Sequence, residues 1–327
     1  MKRQVFAGSV PIGGGSPVTI QSMTNTDTRD VPATLEQIKL LAMAGCDLVR
    51  ISVYDRACAG AVRALVDQSP VPLIADIHFD HTLAIAAMEN GIHKLRINPG
   101  NIGSAEKVRR VVDCAKAHHV PIRIGVNAGS LEKDIVEKEG GATAKGMVES
   151  ALRHIRLLEA EGFYDIVLSL KASDVPLTVK AYQLMHQVCD YPLHLGVTEA
   201  GLPGQGTVKS AIGIGSLLLD KIGDTIRVSL TGDPVHEPGA ALSILRALGL
   251  RSGIRFVSCP PAGAPRSMWP PSPIAWKKNL PAWTSPLPWP LWAAWSTAPG
   301  KQETPTSPFA AARIAALCIS AVSMWAN

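Results

Sequence analysis

The chain has 327 residues, of which 46% are hydrophobic and 18% are charged. This composition excludes a disordered or collagen-like chain and leaves enough apolar side chains for a large core. Residues 1–259 carry 27 basic and 26 acidic side chains, whereas residues 260–327 carry 5 and 1. Because the first part is nearly neutral, the net charge of +5 is a weak argument for nucleic-acid binding, and we expect no nucleic-acid partner.

The ends of the chain and its cysteines indicate a cytoplasmic protein with no membrane partner. Residues 1–15 lack the apolar core of a secretory signal, and the apolar stretch 314–325 is too short to span a bilayer. Scattered cysteines in such a chain are typical of buried thiols rather than of a disulfide framework. We expect core packing for the four that lie in helical patterns: Cys46, Cys58, Cys114 and Cys189.

Short runs rich in β-branched residues alternate with segments of helical period through the first 250 residues. The predicted strands are 18–22, 48–53, 73–77, 94–97, 122–126, 166–170, 193–197 and 225–230. The predicted helices are 32–44, 56–67, 81–90, 105–118, 144–161, 175–188, 207–221 and 236–248. Eight such units predict a (β/α)8 TIM-type barrel over residues 1–250, followed by a separate tail over 251–327. The alternative, an open doubly wound sheet, requires a phosphate-binding fingerprint after the first strand, and residues 21–25 do not form one.

Polar side chains recur at spacings of two or four near the ends of the predicted strands. Alternate strand residues point into a barrel, and those near the C-terminal ends line the active site. The pairs are Arg50 and Ser52, Asp76 and His78, Arg96 and Asn98, Arg123 and Asn127, Ser169 and Lys171, His194 and Thr198, and Arg227 and Ser229. Five cations in one lumen would cost several kcal/mol for each unpaired ion, so the pattern predicts an anion that compensates them.

Phosphate is the anion that these side chains favour. Arginine donates two parallel hydrogen bonds to phosphate and lysine adds a point charge, so we expect a phosphorylated or diphosphorylated small substrate. In the alternative interpretation, each arginine pairs with Asp76, Glu199 or a neighbouring carboxylate in a structural network. Asp76, His78 and Glu199 are the acid–base candidates.

Glycine-containing segments flank this predicted site. Residues 13–15 precede the first predicted strand and are expected to form a turn at the opposite end of the barrel. Residues 201–206 follow Glu199 and are expected to form a mobile loop over the site, and residues 98–101 lie at the same face.

Seven stretches of the chain resemble 4-hydroxy-3-methylbut-2-enyl diphosphate synthases. They are SMTNTDT (22–28), ADIHFD (75–80), RINPGNIG (96–103), RIGVNAGSL (123–131), KASD (171–174), TEAG (198–201) and RVS (227–229). The resemblance implies reductive ring opening and dehydroxylation of 2-C-methyl-D-erythritol 2,4-cyclodiphosphate in the methylerythritol phosphate route to isoprenoids. It further implies a [4Fe–4S] cluster, flavodoxin or ferredoxin as electron donor, and a homodimer in which a small C-terminal domain caps the partner's barrel.

The resemblance also implies roles for individual residues. Glu199 matches the acid of proton transfer, and His78 matches a further residue of the pocket. Together with Asn98 and Thr198, which we place at the same face, the matched residues complete the predicted diphosphate site: Arg50, Arg96, Arg123, Asn127, Lys171, Arg227 and Ser229. Two alternatives stay open, a barrel that binds diphosphate without redox chemistry and a different barrel enzyme acting on a phosphorylated substrate, such as a pteridine-dependent one.

The chain departs from this family after Cys259, which matches the first cluster ligand. The family's second cysteine would stand at position 262, where this chain has Ala262, and no later cysteine or ligand glutamate follows in a matching motif. Cys318 lies in an alanine-rich run without ligand spacing. Because one cysteine cannot hold four irons, we predict that residues 251–327 are a remnant that does not assemble the cluster.

The composition of the tail suggests how this departure arose. All seven Trp and 13 of the 25 Pro lie in residues 260–327. Codons for residues 291–300 can be chosen so that a shifted frame reads Met-Gly-Cys-Val-Val-Asn-Gly-Pro-Gly, the missing cluster segment. The same offset allows Cys-Gly-Arg within residues 261–264. We therefore interpret the tail as a frame-shifted reading of the cluster domain, irregular in structure, with the shift between Cys259 and Pro261.

Overall fold

The computed structural model describes residues 3–253, and residues up to Ser252 belong to one compact unit. Its strands are β1 (Gln4–Ala7), β2 (Val10–Gly13), β3 (Thr19–Met23), β4 (Leu48–Ser52), β5 (Leu73–Asp76), β6 (Lys94–Ile97), β7 (Ile122–Asn127), β8 (Ile166–Lys171), β9 (His194–Leu195) and β10 (Thr225–Ile226). Its helices are α1 (Val31–Met43), α2 (Arg56–Gln68), α3 (His81–Glu89), α4 (Pro99–Ile102), α5 (Ala105–Ala117), α6 (Lys133–Glu139), α7 (Ala144–Ala160), α8 (Val175–Val188), α9 (Pro203–Leu219) and α10 (His236–Ala247).

Strands β3 to β10 form a parallel barrel. Neighbours in the chain pair from β3 to β8, and β10 pairs with both β3 and β9. The circle closes where Leu168 of β8 forms a parallel bridge with Leu193, just before β9. The structure thus confirms the predicted (β/α)8 barrel and excludes the open doubly wound sheet, which has two free edges.

Aspartates define where four of the surrounding helices begin. The side chain of each N-cap aspartate accepts a backbone N–H from the first turn of α1, α2, α3 or α8. These residues are Asp30, Asp55, Asp80 and Asp174. Helices that start at fixed points after the strands also fix the short loops that surround the C-terminal end of the barrel.

The main core lies between the barrel and its helices. Outward-facing strand residues such as Ile51, Leu95 and Ile124 are fully buried there against helical side chains. Cys46 and Cys58 belong to this core, and Cys114 and Cys189 pack against it, as predicted for the four. Cys259 and Cys318 lie outside the described residues.

A second, smaller core closes the N-terminal end of the barrel. Hairpin β1–β2, which the sequence analysis did not predict, packs Val5, Ala7 and Ile12 against the inward residues Leu48, Ile74 and Val167. Residues 13–15 have positive φ and form the predicted turn, which leads from the hairpin into β3. The lumen is therefore filled by apolar side chains at this end.

The predicted loop over 201–206 is too long, because helix α9 begins at Pro203. Proline fixes a backbone angle suited to the first helical turn. Gly206 also lies inside this helix, and a Cβ there would come within 2.8 Å of the Gly201 carbonyl oxygen. Residues 203–206 are therefore helical rather than part of a loop, and the helix packs closely on Gly201. No helix within residues 3–253 is long and apolar enough to cross a membrane.

Candidate active site

Register places the charged side chains of neighbouring strands at matching heights in the lumen. Asp76 of β5 pairs with Arg96 of β6, which in turn pairs with Arg123 of β7. Asn127, at the end of β7, pairs with Lys171 of β8. Because paired residues of parallel strands project from the same face, these side chains converge at the C-terminal end of the barrel. We call Arg50, Arg96, Arg123, Lys171 and Arg227 the lumen cations.

Asp76 orients two of the lumen cations. Its carboxylate oxygens lie 3.5 Å from Arg50 Nε and 3.0 Å from Arg96 Nη1. Burial raises the pKa of Asp76, but Arg50, a hydrogen bond from His78 and Arg96 outweigh it and hold the pKa well below its usual range. Asp76 is therefore ionised at neutral pH, and its carboxylate orients Arg50 and Arg96, while its predicted acid–base role stays a prediction.

Glu237 orients a third lumen cation, and the sequence analysis missed it. Its carboxylate is buried at the start of α10, 3.4 Å from Arg227 Nε. It also accepts hydrogen bonds from Ser22 Oγ at 2.6 Å and from the backbone N–H of Leu230 at 3.1 Å. An acidic residue in the first turn of a helix usually balances the helix dipole, so its position in the sequence carried no signal for this role.

The thioether of Met23 lies between two of these arginines. Arg50 Nη2 donates to Met23 Sδ at 2.9 Å, and Arg227 Nη1 lies 3.9 Å from the same sulfur. Burial lowers the pKa of Arg50 to about 10, so its guanidinium keeps its charge at neutral pH. A sulfur atom is a weak acceptor and does not neutralise either cation.

Arg123 and Lys171 contact no carboxylate among the described residues. Arg123 Nη1 donates to Ser169 Oγ at 3.2 Å, while its Nε and Nη2 are buried without a hydrogen-bond partner within residues 3–253. Burial and the neighbouring arginines lower the pKa of Arg123, and burial with Arg123 and Arg227 nearby lowers the pKa of Lys171. Unpaired donors of this kind mark a place where an anion would be stabilised.

Two glycines make room for these long side chains, and the sequence analysis did not single them out. A Cβ on Gly125 would lie 2.8 Å from Arg96 Nε, and one on Gly196 would lie 2.8 Å from Lys171 Nζ. Both glycines occupy inward positions of the barrel, where other residues would fill the lumen with a side chain. Their absent side chains let the cations extend across the lumen instead.

A polar layer continues below the lumen cations. Lys94 is fully buried, its Nζ has no hydrogen-bond partner within the described part of the chain, and Gln21 and His194 lie at similarly buried inward positions. Burial lowers the pKa of Lys94, with Arg123 adding to the effect, and burial also lowers the pKa of His194, with Lys171 adding to it. Lys94 stands two residues before Arg96, so the spacing that identified Arg96 also contained this residue.

The remaining predicted residues lie at the mouth of the barrel. Asn98 is buried, and its Oδ1 accepts the N–H of Gly100 at 3.1 Å. His78 is half-exposed beside Asp76, with Nε2 3.6 Å from the carboxylate. Asn127, Thr198 and Ser229 are half-buried.

Glu199 lies at the same end of the barrel but outside the buried group of lumen cations. It is exposed and has φ of 51°, which non-glycine residues rarely adopt. Such strained backbone is concentrated at functional sites. Its exposure leaves the carboxyl group accessible to solvent protons.

The described residues do not form a site for an iron–sulfur cluster. Within residues 3–253, no group of three or more His, Cys, Asp or Glu side chains is arranged to hold a metal ion. The predicted ligand Cys259 lies outside these residues. Clusters are held mainly by several cysteine thiolates, so the described part of the chain does not fit this cofactor.

Comparison with known proteins identifies the barrel. The family model described as "GcpE TIM-barrel domain" matches residues 2–242. The flavodoxin-dependent 4-hydroxy-3-methylbut-2-en-1-yl diphosphate synthase of Geobacter sulfurreducens is 59% identical over 262 residues, which cover 80% of this chain and 74% of that protein. The chain belongs to this synthase family. The enzyme of the same name from Caldanaerobacter subterraneus is 57% identical and covers 80% of this chain and 74% of that protein. The enzyme from Magnetococcus marinus is 60% identical and covers 79% of this chain and 70% of that protein.

Solved structures show the same fold at low identity. Dihydropteroate synthase from Xanthomonas albilineans has a TM-score of 0.52 and 15% identity, covering 75% of this chain and 98% of that one. An N-acetylneuraminic acid synthetase from Leptospira borgpetersenii has a TM-score of 0.53 and 12% identity, covering 86% and 98%. At these identities the likeness supports the barrel fold of the synthase family and no shared chemistry.

Proposed function

We propose that the lumen cations bind 2-C-methyl-D-erythritol 2,4-cyclodiphosphate and that the chain serves the reaction of its family, formation of 4-hydroxy-3-methylbut-2-enyl diphosphate. The observation that carries the proposal is a charge imbalance. Among the described residues, two carboxylates contact three of the five lumen cations, Arg50, Arg96 and Arg227, and neither of them contacts Arg123 or Lys171. A diphosphate supplies the missing negative charge and the acceptor oxygens.

The reaction explains why proton-transfer groups would stand at the mouth. Two electrons and one proton enter, a carbon–oxygen bond to phosphate opens, and a hydroxyl group leaves as water. We assign proton transfer to Glu199, which is exposed at the C-terminal end of the barrel. Half-exposed His78 and the half-buried polar residues Asn127, Thr198 and Ser229 would contact the substrate, together with buried Asn98. We assign no electron-transfer step to the described residues.

Partners follow from the family. The relatives are named as flavodoxin-dependent enzymes, which supports flavodoxin as the electron donor over ferredoxin. A homodimer and a cytoplasmic location remain proposals that light scattering and cell fractionation would test.

Calorimetric titration with the cyclodiphosphate tests the anion site. We expect Arg123→Met to weaken binding by about 30-fold or more, because losing charged hydrogen bonds costs roughly 2 kcal/mol or more. The fold should survive, since the change removes a buried cation that contacts no carboxylate among the described residues. The control Arg109→Met alters an exposed residue of α5 and should bind like the wild type. Equal dissociation constants for Arg123→Met and the wild type would contradict the proposal.

A further inference from the structure

His154 is a buried histidine of α7 that belongs to neither the lumen nor the predicted site. The residue is 3% exposed although it stands on a surface helix. Nε2 lies 3.2 Å from Oε1 of Glu132. Burial lowers the pKa of His154 despite this carboxylate, so a neutral ring with its proton on Nε2 can donate to Glu132.

One side of the ring meets the segment that carries Asn98. A Cβ on Gly100 would lie 2.8 Å from His154 Cε1 and 3.5 Å from Asn98 Oδ1, so the ring packs closely on the backbone of Gly100. Gly100 in turn donates its N–H to Asn98 Oδ1. The position of the imidazole therefore limits where α4 and the Asn98 side chain can lie.

The other contact of the ring reaches the segment that carries Asn127. Glu132 stands five residues after Asn127, at the start of α6, where its carbonyl oxygen accepts the N–H groups of Ile135 and Val136. The carboxylate that meets His154 thus belongs to the residue that anchors the end of this segment. Arg153, the next charged residue on α7, pairs with Asp134 and Glu149 instead.

From these contacts we infer that His154 is a positioning residue that joins the segments following β6 and β7 and sets the spacing between the amides of Asn98 and Asn127. The inference rests on the proposed function, since these amides matter for binding only if the cyclodiphosphate occupies the lumen. An imidazole suits the task because it combines a flat surface against Gly100 with a directed donor toward Glu132.

Calorimetry with the cyclodiphosphate tests this role through two variants. His154→Leu should weaken binding by about tenfold, an effect comparable to that of residues that orient metal ligands. His154→Gln keeps an N–H donor and should restore most of the affinity. The exposed His118, at the end of α5, provides the control variant His118→Leu. Equal losses for the Leu and Gln variants would overturn the inference.

A double-mutant cycle separates positioning from general destabilisation. If His154 acts through Asn98, then Asn98→Ala should cost much less affinity in the His154→Leu background than in the wild type. Additive losses would overturn the inference, because they would mean that the two residues act independently.

NMR signals of the side-chain amides of selectively ¹⁵N-labelled asparagine test the positioning role without relying on the proposed function. The signals of Asn98 and Asn127 should both move in His154→Leu and stay in place in His118→Leu. If the wild type fails to bind the cyclodiphosphate while both signals move, the proposed function fails and the positioning role stands. Signals that do not move would overturn the positioning role whether or not the ligand binds.

Discussion

Asp76 and Lys94 show how the same burial acts on opposite charges. Asp76 has Arg50, Arg96 and His78 around it, so its ionised form is favoured despite burial. Arg123 adds its positive charge to the effect of burial at Lys94, so burial and charge both act against the protonated form of this lysine. Asp76 therefore orients lumen cations, whereas buried Lys94 lowers the free energy of unfolding.

Replacing Lys94 should stabilise the fold at neutral pH. We expect Lys94→Met to raise the free energy of unfolding by about 1 to 4 kcal/mol, because an apolar side chain of similar length removes a buried cation that has no hydrogen-bond partner within residues 3–253. Chemical denaturation checks this value. The exposed Lys107 of α5 provides the control Lys107→Met, which should change stability little.

The pH dependence of the Lys94 effect has a definite sign. The unfolded chain keeps the lysine proton up to its ordinary pKa of 10.5, whereas the folded chain releases it at lower pH. The unfolded state therefore binds more protons between these values, and the stability of the wild type rises with pH there. The advantage of Lys94→Met should shrink as the pH approaches 10.5, and an advantage that is constant from pH 7 to 10 would contradict this account.

At the scale of elements, the strands supply space as well as side chains. Gly125 lies within β7 and Gly196 follows β9, and each faces a lumen cation from a neighbouring strand. In a strand, an isolated glycine ordinarily suggests a bulge or a close approach of backbone. At Gly125 the approaching group is the Arg96 side chain, whereas at Gly196 both the Arg227 carbonyl oxygen and Lys171 Nζ approach.

Adding one methyl group on β7 should impair binding more than folding. Gly125→Ala would place Cβ 2.8 Å from Arg96 Nε and push the guanidinium away from its 3.0 Å contact with Asp76. Because the obstructing atoms belong to the end of a flexible side chain, we expect a small loss of stability and about a tenfold loss of affinity for the cyclodiphosphate. Calorimetry and thermal unfolding measure the two effects.

Gly129 provides the matched control for this substitution. It follows the same strand, and a Cβ there would meet no atom within 4 Å. Gly129→Ala should therefore keep both affinity and stability. Wild-type affinity in Gly125→Ala would show that the position of Arg96 does not matter for the ligand.

The pattern of elements could be predicted far better than the details of the site. Spacing of apolar residues predicted the barrel, and alternation in the strands identified Arg50, Arg96 and Arg123 before any contact was known. Glu237 and Gly125 could not be found in this way, because their roles come from neighbours distant in the chain. Hairpin β1–β2 was also missed, since two four-residue strands give too short an alternation to distinguish.

At the scale of the whole molecule, the ligands for the cluster of the family would have to come from residues 254–327. Family membership implies an iron–sulfur enzyme, yet these residues contain two cysteines, Cys259 and Cys318. Sequencing the gene across codons 255–265 tests the frame-shift interpretation. A continuous frame that encodes this tail would contradict it.

The iron content of the protein tests whether this chain can assemble the cluster. After anaerobic reconstitution we expect fewer than four irons per chain, because residues 254–327 contain only two cysteines, too few to hold a [4Fe–4S] cluster. The enzyme of Geobacter sulfurreducens, reconstituted in parallel, serves as the control. Four irons per chain, with the absorbance of an intact cluster, would refute the prediction.

Hairpin β1–β2 closes one end of the barrel. Because Val5, Ala7 and Ile12 pack against Leu48, Ile74 and Val167, the lumen is closed at its N-terminal end. A ligand of the lumen would therefore enter and leave at the C-terminal end, beside His78 and Glu199. Product release would therefore precede entry of the next substrate molecule. A protein or domain bound over the C-terminal end of the barrel would affect both substrate entry and product release.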